Sequence, residues 1–109
     1  MKGVRFEFQV DLVDNNTRTK KKIDNEQIGN AIRDLYLFRA DEHFVDTLAW
    51  VSYVGNGRFE GYIANDENYR DIGYINEVIS FLDYDDLLCN NMESYILKPT
   101  LLSVNGRNC

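Results

Sequence analysis

Proline is almost missing from this chain: Pro99 stands alone among 109 residues. That excludes a proline-rich linker, and no low-complexity stretch or internal repeat takes its place. Long apolar runs are missing too, and none approaches the roughly 18–20 residues that span a bilayer. The opening MKGVRFEFQVD alternates polar and apolar residues and lacks the continuous apolar stretch of a secretory signal. A cytoplasmic protein with no membrane contact is the expectation. Cysteine is limited to Cys89 and Cys109, too few for a disulfide framework, and a reducing cytoplasm disfavours a bridge between them. In the same compartment the Asn15-Asn16-Thr17 sequon has no use. His43 is the only histidine, so there is no histidine pair to hold a metal. A glycine-rich phosphate loop, a G-x-S-x-G elbow and a Ser-x-x-Lys pair are all absent. No cofactor and no enzymatic activity are therefore expected.

What is present is organised around residues 44–64, FVDTLAWVSYVGNGRFEGYIA. Two β-branched and aromatic runs flank Gly55-Asn56-Gly57 there, a strong hairpin signal. A type I′ turn needs φ > 0 at both central residues, and Asn56-Gly57 tolerates this best. That placement sets Gly55 opposite Arg58, Val54 opposite Phe59 and Trp50 opposite Ile63. One face then carries Leu48, Trp50, Val54, Phe59 and Ile63 and is expected to be core. The other carries Thr47, Ala49, Val51, Tyr53, Glu60, Tyr62 and Ala64 and is expected to be open.

The remaining elements follow from periodicity. In residues 4–12, Val4, Phe6, Phe8, Val10 and Leu12 alternate with Arg5, Glu7, Gln9 and Asp11, which predicts a strand buried on one face. Residues 14–22 read as a polar loop. Asp24 then caps a helix, with Gln27 closing a capping box and Ile23 and Ile28 forming a hydrophobic staple. Ile28, Ala31, Ile32 and Leu35 carry this helix to about Phe38, with Gly29 as a local weakness. Residues 40–43 connect it to the hairpin. Tyr69, Ile72, Ile75, Ile79 and Leu82 predict a second helix within 66–83, and 84–91 read as a helical turn or loop. Residues 94–104 form a last strand, which Pro99 places at an edge or a bulge. The order β-α-β-β-α-β predicts a single α+β domain, a ferredoxin-like antiparallel sheet with two helices on one face.

Charge is the strongest functional signal. The chain carries 12 basic and 18 acidic side chains, a net charge of −6. Residues 24–93 hold fifteen acidic and four basic side chains, a balance of −11, whereas residues 1–23 hold six basic and three acidic. So anionic a centre disfavours nucleic acid, whose affinity comes from Lys and Arg. It favours a basic protein partner, drawn in by electrostatic steering. Tyr53 and Tyr62, on a sheet of this type, are also what an RNA-binding surface would use to stack bases. Glu60, however, lies where phosphate would pass.

Three clusters carry residue types suited to chemistry. Asp41, Glu42, His43 and Asp46 match no metal spacing, and a solvated strand entrance explains them equally. Asp83, Asp85 and Asp86 are hard-cation ligands by type, yet acidic pairs of this kind are common on caps and loops. Arg18, Lys20, Lys21 and Lys22 make the only basic run, ahead of a helix. The expectation is a non-catalytic acidic protein that inhibits a nuclease or other nucleic-acid-acting protein, as toxin immunity proteins and phage anti-defence inhibitors do. Its interface would comprise Val51, Tyr53, Glu60, Tyr62, Asp66, Glu67, Asp71, Asp83, Asp85 and Asp86. The alternatives are a domain that forms homodimers through the open sheet face, and an Asp-based metal-dependent enzyme using Asp85 and Asp86.

Overall fold

β1 (Lys2–Asp14) is the strand on which the others assemble. Val4, Phe6, Phe8, Val10 and Leu12 are all buried, at 9% exposure or less, as their period of two requires. The computed structural model describes residues 2–43, 49–65, 77–80, 82, 86–88, 94–104 and 107–108. On one side β1 pairs antiparallel with β4 (Arg58–Asn65), and further along with the short β2 (Lys20–Lys21). On the other side it pairs antiparallel with β6 (Ser94–Val104). β3 (Ala49–Gly55) lies outside β4, and β5 (Asp86–Leu88) lies outside β6. The order is β3-β4-β1-β6-β5, and β7 (Arg107–Asn108) turns back on the end of β6. The molecule is thus an α+β fold built on an antiparallel sheet.

The helix α1 (Glu26–His43) packs on the buried side of this sheet. Tyr36, at 0% exposure, lies between Phe6 and Phe8, with ring centroids at 5.6 and 5.4 Å. Ile32 is also fully buried, and Ile28 and Leu35 pack against the same cluster. Residues 77–80 and 82 are helical, and Val78, Ile79 and Leu82 enter that cluster too. Residues 66–76 of the expected second helix lie outside the described residues. Among the described residues no helix is long and apolar enough to cross a membrane.

Several local expectations are corrected. The cap of α1 is Asn25, one residue later than Asp24: its Oδ1 accepts the Gln27 N–H at 2.7 Å. The helix runs to His43, so Asp41, Glu42 and His43 belong to its last turn and not to a connection. The segment after β1 is a hairpin. Asp14 accepts N–H bonds from Asn16 and Thr17 at 2.8 and 3.0 Å, the chain reverses through Arg18 at φ 62°, and Lys20 returns opposite Val13. Those two N–H groups, that of Thr17 foremost, hold the Asp14 carboxyl below its ordinary range. Residues 86–88, expected as turn or loop, form β5.

The hairpin correction matters most. Asn56 and Gly57 have φ of 55° and 75°, and Gly55 lies opposite Arg58, both as the turn chemistry dictates. The ladder then slips between Tyr53 and Gly55. Tyr53, not Val54, pairs with Phe59, and Trp50 pairs with Tyr62 instead of Ile63. Val54 is the extra residue of a β-bulge, and one extra residue exchanges the two faces of β3. Val51 is therefore core at 4% exposure, whereas Trp50 and Val54 are 48% and 54% exposed.

Pro99 fits the sheet without loss. Val10 donates its N–H to Gly57 on the β4 side, so its pairing with Pro99 on β6 uses no hydrogen bond. The nitrogen of Pro99 then points away from β1, toward the outer edge of β6. That edge is paired with β5 only through Ser94, Tyr95 and Ile96.

Two glycines admit aromatic rings. Gly61 pairs with Phe6, and a Cβ there would clash with the Cζ edge of the Phe6 ring. Gly61→Ala is expected to lower stability by about 1–3 kcal/mol through overpacking. Urea denaturation of Gly61→Ala alone and with Phe6→Leu checks this, since the double variant should recover part of the loss. Tyr36 generates a second prediction. Its buried hydroxyl has no hydrogen-bond partner among the described residues, and burial pushes its pKa above the ordinary tyrosine range. Tyr36→Phe removes that orphan and is expected to gain about 1 kcal/mol near neutral pH. The unfolded chain releases its phenolic proton near pH ~10 while the folded chain retains it, so Tyr36 lowers stability as pH rises beyond that point. The advantage of Tyr36→Phe should therefore widen in alkaline solution, and a gap that stays constant with pH would count against the assignment.

Candidate functional site

The surface left open by α1 is the second face of the sheet, and the bulge at Val54 decides what stands on it. Trp50 packs against Tyr62 across the β3–β4 pair, with centroids 4.7 Å apart at 41°. Arg5 lies opposite Tyr62 in register, Glu7 opposite Glu60, and Gln9 opposite Arg58. On the far side of β1, Asp11 lies opposite Lys98. Lys20 reaches Asp11 at 3.6 Å, a surface pair of little energetic weight. The facing carboxylates of Glu7 and Glu60 make no ion pair among the described residues, and like charges placed opposite are mildly destabilising. Four cations (Arg5, Lys20, Arg58, Lys98) and three carboxylates (Glu7, Asp11, Glu60) share this face. It is close to neutral.

The expected interface residues therefore fall into separate places. Glu60 and Tyr62 stand on the open face as anticipated. Val51 does not: it is buried in the core and cannot anchor a partner there. Tyr53 also faces inward. Its ring packs at a tilt against Phe59, with centroids 5.0 Å apart, and covers Gly29 of α1, where a Cβ would sit 2.5 Å from Tyr53 Cγ. Its hydroxyl donates to the Ile23 carbonyl at 3.4 Å and accepts the Gly57 N–H at 3.3 Å. Tyr53 thus ties the start of α1 to the tip of the hairpin, and Gly29 is the gap that admits it rather than a flaw in the helix. Asp86 lies in β5 opposite Ile96. Asp66, Glu67, Asp71, Asp83 and Asp85 lie outside the described residues, as does Asp46.

Trp50 was missed as a surface residue because the alternation was counted through the bulge. The sequence signal is Gly55-Asn56-Gly57 itself, three successive residues that tolerate positive φ where a two-residue turn requires two, and all three adopt it. The basic run is surface as expected, with Lys21 Nζ placed 5.8 Å from the Tyr95 ring.

The described carboxylates of the central segment lie mostly elsewhere. Asp24, Glu26, Asp34 and Glu77 are exposed on or beside the helical segments. Arg33 is spent on its neighbour Asp34 at 3.0 Å. Between the start of α1 and the hairpin tip lies an open groove of about 380 Å³, lined by Ile23, Asp24, Asn25, Glu26, Tyr53, Val54, Gly55 and Asn56. It holds two carboxylates and no cation. Among the described residues no three His, Cys, Asp or Glu side chains converge as metal ligands. No family model, curated protein or solved structure matches the chain, so its chemistry is read from this geometry alone.

The inward position of Tyr53 is directly testable. Tyr53→Ala is expected to cost about 2–4 kcal/mol, the range for removing a largely buried ring, and Tyr53→Phe about 1 kcal/mol. Thermal or urea unfolding of both variants checks this. A true surface tyrosine would leave both within about 0.5 kcal/mol of the parent.

Proposed function

We propose that this chain is a non-catalytic acidic binding protein of the cytoplasm that neutralises a basic, nucleic-acid-acting protein such as a nuclease. The observation that carries the proposal is charge segregation. The central segment has a balance of −11, and of its described exposed carboxylates Asp24, Glu26, Asp34 and Glu77 lie on or beside the helical segments, with Glu60 on the nearly neutral sheet face. A surface of one sign accelerates encounter with a partner of the other and rejects partners of its own, nucleic acid included. The groove beside Asp24 and Glu26 offers a concavity for a basic side chain of such a partner, with the exposed Val54 as an apolar rim. Asp66, Glu67, Asp71, Asp83, Asp85 and Asp86 extend the proposed interface by their charge.

The finer form of the fold belongs to the same proposal: a ferredoxin-like arrangement with two helices on one face. It is supported by the antiparallel succession β3-β4-β1-β6 and by the entry of Val78, Ile79 and Leu82 into the cluster that α1 covers.

Affinity purification from the native host, followed by inhibition assays on the recovered partner, tests the function. The expected result is a basic nucleic-acid-acting protein whose activity falls stoichiometrically. Its association should slow about tenfold or more between low and physiological salt. Asp24→Lys with Glu26→Lys should slow it further. A partner whose association ignores both salt and these reversals would overturn the proposal, and so would recovery of no partner at all.

A further inference from the structure

We infer that the open sheet face docks a second copy of this chain, as a two-fold dimer packed sheet to sheet. This inference concerns the sheet face, which meets the proposed acidic interface only at Val54 of the hairpin tip, and it does not rest on that interface.

Two observations on that face select the occupant. The first is apolar: Trp50, 48% exposed, stands against Tyr62, with the bulged Val54 at 54% beyond it. Aromatic side chains of this kind carry interface energy once they are desolvated. The second is the arrangement of charge. Along β1 the face presents Arg5, Glu7, Gln9 and Asp11, and along β4 it presents Arg58 and Glu60. Arg5 differs in sign from Glu7 and Asp11 on β1, Arg58 differs from Glu60 on β4, and with Lys20 and Lys98 the face sums to about +1 in a chain of −6. A nucleic acid strand, or a strongly basic protein, would meet like charges wherever it lay. A copy of the same face meets opposite ones.

The symmetry can be specified. A two-fold axis between the sheets, perpendicular to the strands at the level of the Phe8–Phe59 pair, reverses strand direction and keeps each strand over its copy. Rows equidistant from that pair are then brought together. Arg58 faces the partner's Glu60, and Arg5 faces the partner's Asp11, each twice by symmetry. Trp50 lies over the partner's hairpin tip, at the level of the partner's Asn56. Strands nearly aligned across two packed sheets are the ordinary geometry of such contacts.

Area sets the strength. Four strands about 4.8 Å apart, with about eight paired residues at about 3.4 Å rise, project roughly 500 Å². Stable interfaces bury about 800 Å² of accessible surface per partner, so this smaller face fits a weak dimer. α1 and its exposed carboxylates remain on the outer surface.

Trp50 is the only tryptophan in the chain, so its fluorescence reports on this face directly. The experiment is sedimentation equilibrium of the full chain from about 1 to 500 μM, a range that brackets a weak dimer, with Trp50 emission and acrylamide quenching read on the same samples. The expected result is a doubling of mass together with a blue shift and reduced quenching. Arg58→Glu and Glu60→Arg, checked for folding by circular dichroism, should each weaken the dimer about tenfold. The double variant Arg58→Glu/Glu60→Arg should restore it, since the pairs are re-formed with signs exchanged. A monomer throughout overturns the inference. So does a dimer that leaves Trp50 emission unchanged, or single reversals that dimerise like the parent. A Trp50 shift produced by a single-stranded oligonucleotide without mass doubling would reassign the face to nucleic acid.

Discussion

The fold depends on one run of aromatic contacts across the centre of the sheet. Phe6 and Tyr36 pack at 5.6 Å, Tyr36 and Phe8 at 5.4 Å, Phe8 and Phe59 at 4.9 Å, and Phe59 and Tyr53 at 5.0 Å. Five rings thus join β1, β3, β4 and α1 in one apolar layer. A fully buried ring contributes roughly 1.5–3 kcal/mol, so this layer is comparable with the whole net stability of a small domain, about 5–15 kcal/mol. Two glycines are its accommodations: Gly61 makes room for Phe6, and Gly29 makes room for Tyr53. The Tyr36 hydroxyl is the one place where the layer carries a polar atom with no partner among the described residues.

That layer determines which way β3 faces. With the ring of Tyr53 drawn onto Phe59 and Gly29, Val51 must point inward and Trp50 outward. The turn still needs Gly55 opposite Arg58, so the chain absorbs the mismatch in one extra residue, Val54. Core packing and turn geometry are both satisfied, and the bulge is what reconciles them. Its consequence reaches the surface. A regular hairpin would have turned Trp50 into the core; the bulge instead sets it beside Tyr62 on the open face.

Much of the scaffold was legible in the sequence because it rests on local periodicity. The five inward residues of β1, the stripe Ile28–Ile32–Leu35 of α1, the Asn56-Gly57 turn and the edge character of Pro99 all follow from rules acting over a few residues. What was not legible depended on competition between elements. Asp24 and Asn25 are both good caps, and the choice fell to Asn25, whose Oδ1 meets the Gln27 N–H. Lys20 and Lys21 look like loop residues until Asp14 turns the chain back onto β1. Of the candidate residues, Glu60 and Tyr62 stand on the face that alternation predicts because β4 is regular, while Val51 and Tyr53 face the core because β3 is not.

The sequence by itself determined the apolar alternation of β1, the turn chemistry at Gly55-Asn56-Gly57 and the excess of carboxylates in the central segment. Each is a property of residue type and spacing, and no distant contact can change it. Only the tertiary structure decided that Tyr53 belongs to the core and Trp50 to the surface. Both are large aromatic residues on one strand, equal in β-preference, and alternation ranks them only relative to a register. The register was set by what lay around the strand: the Phe59 ring to pack against on β4 and the space at Gly29 of α1 to fill.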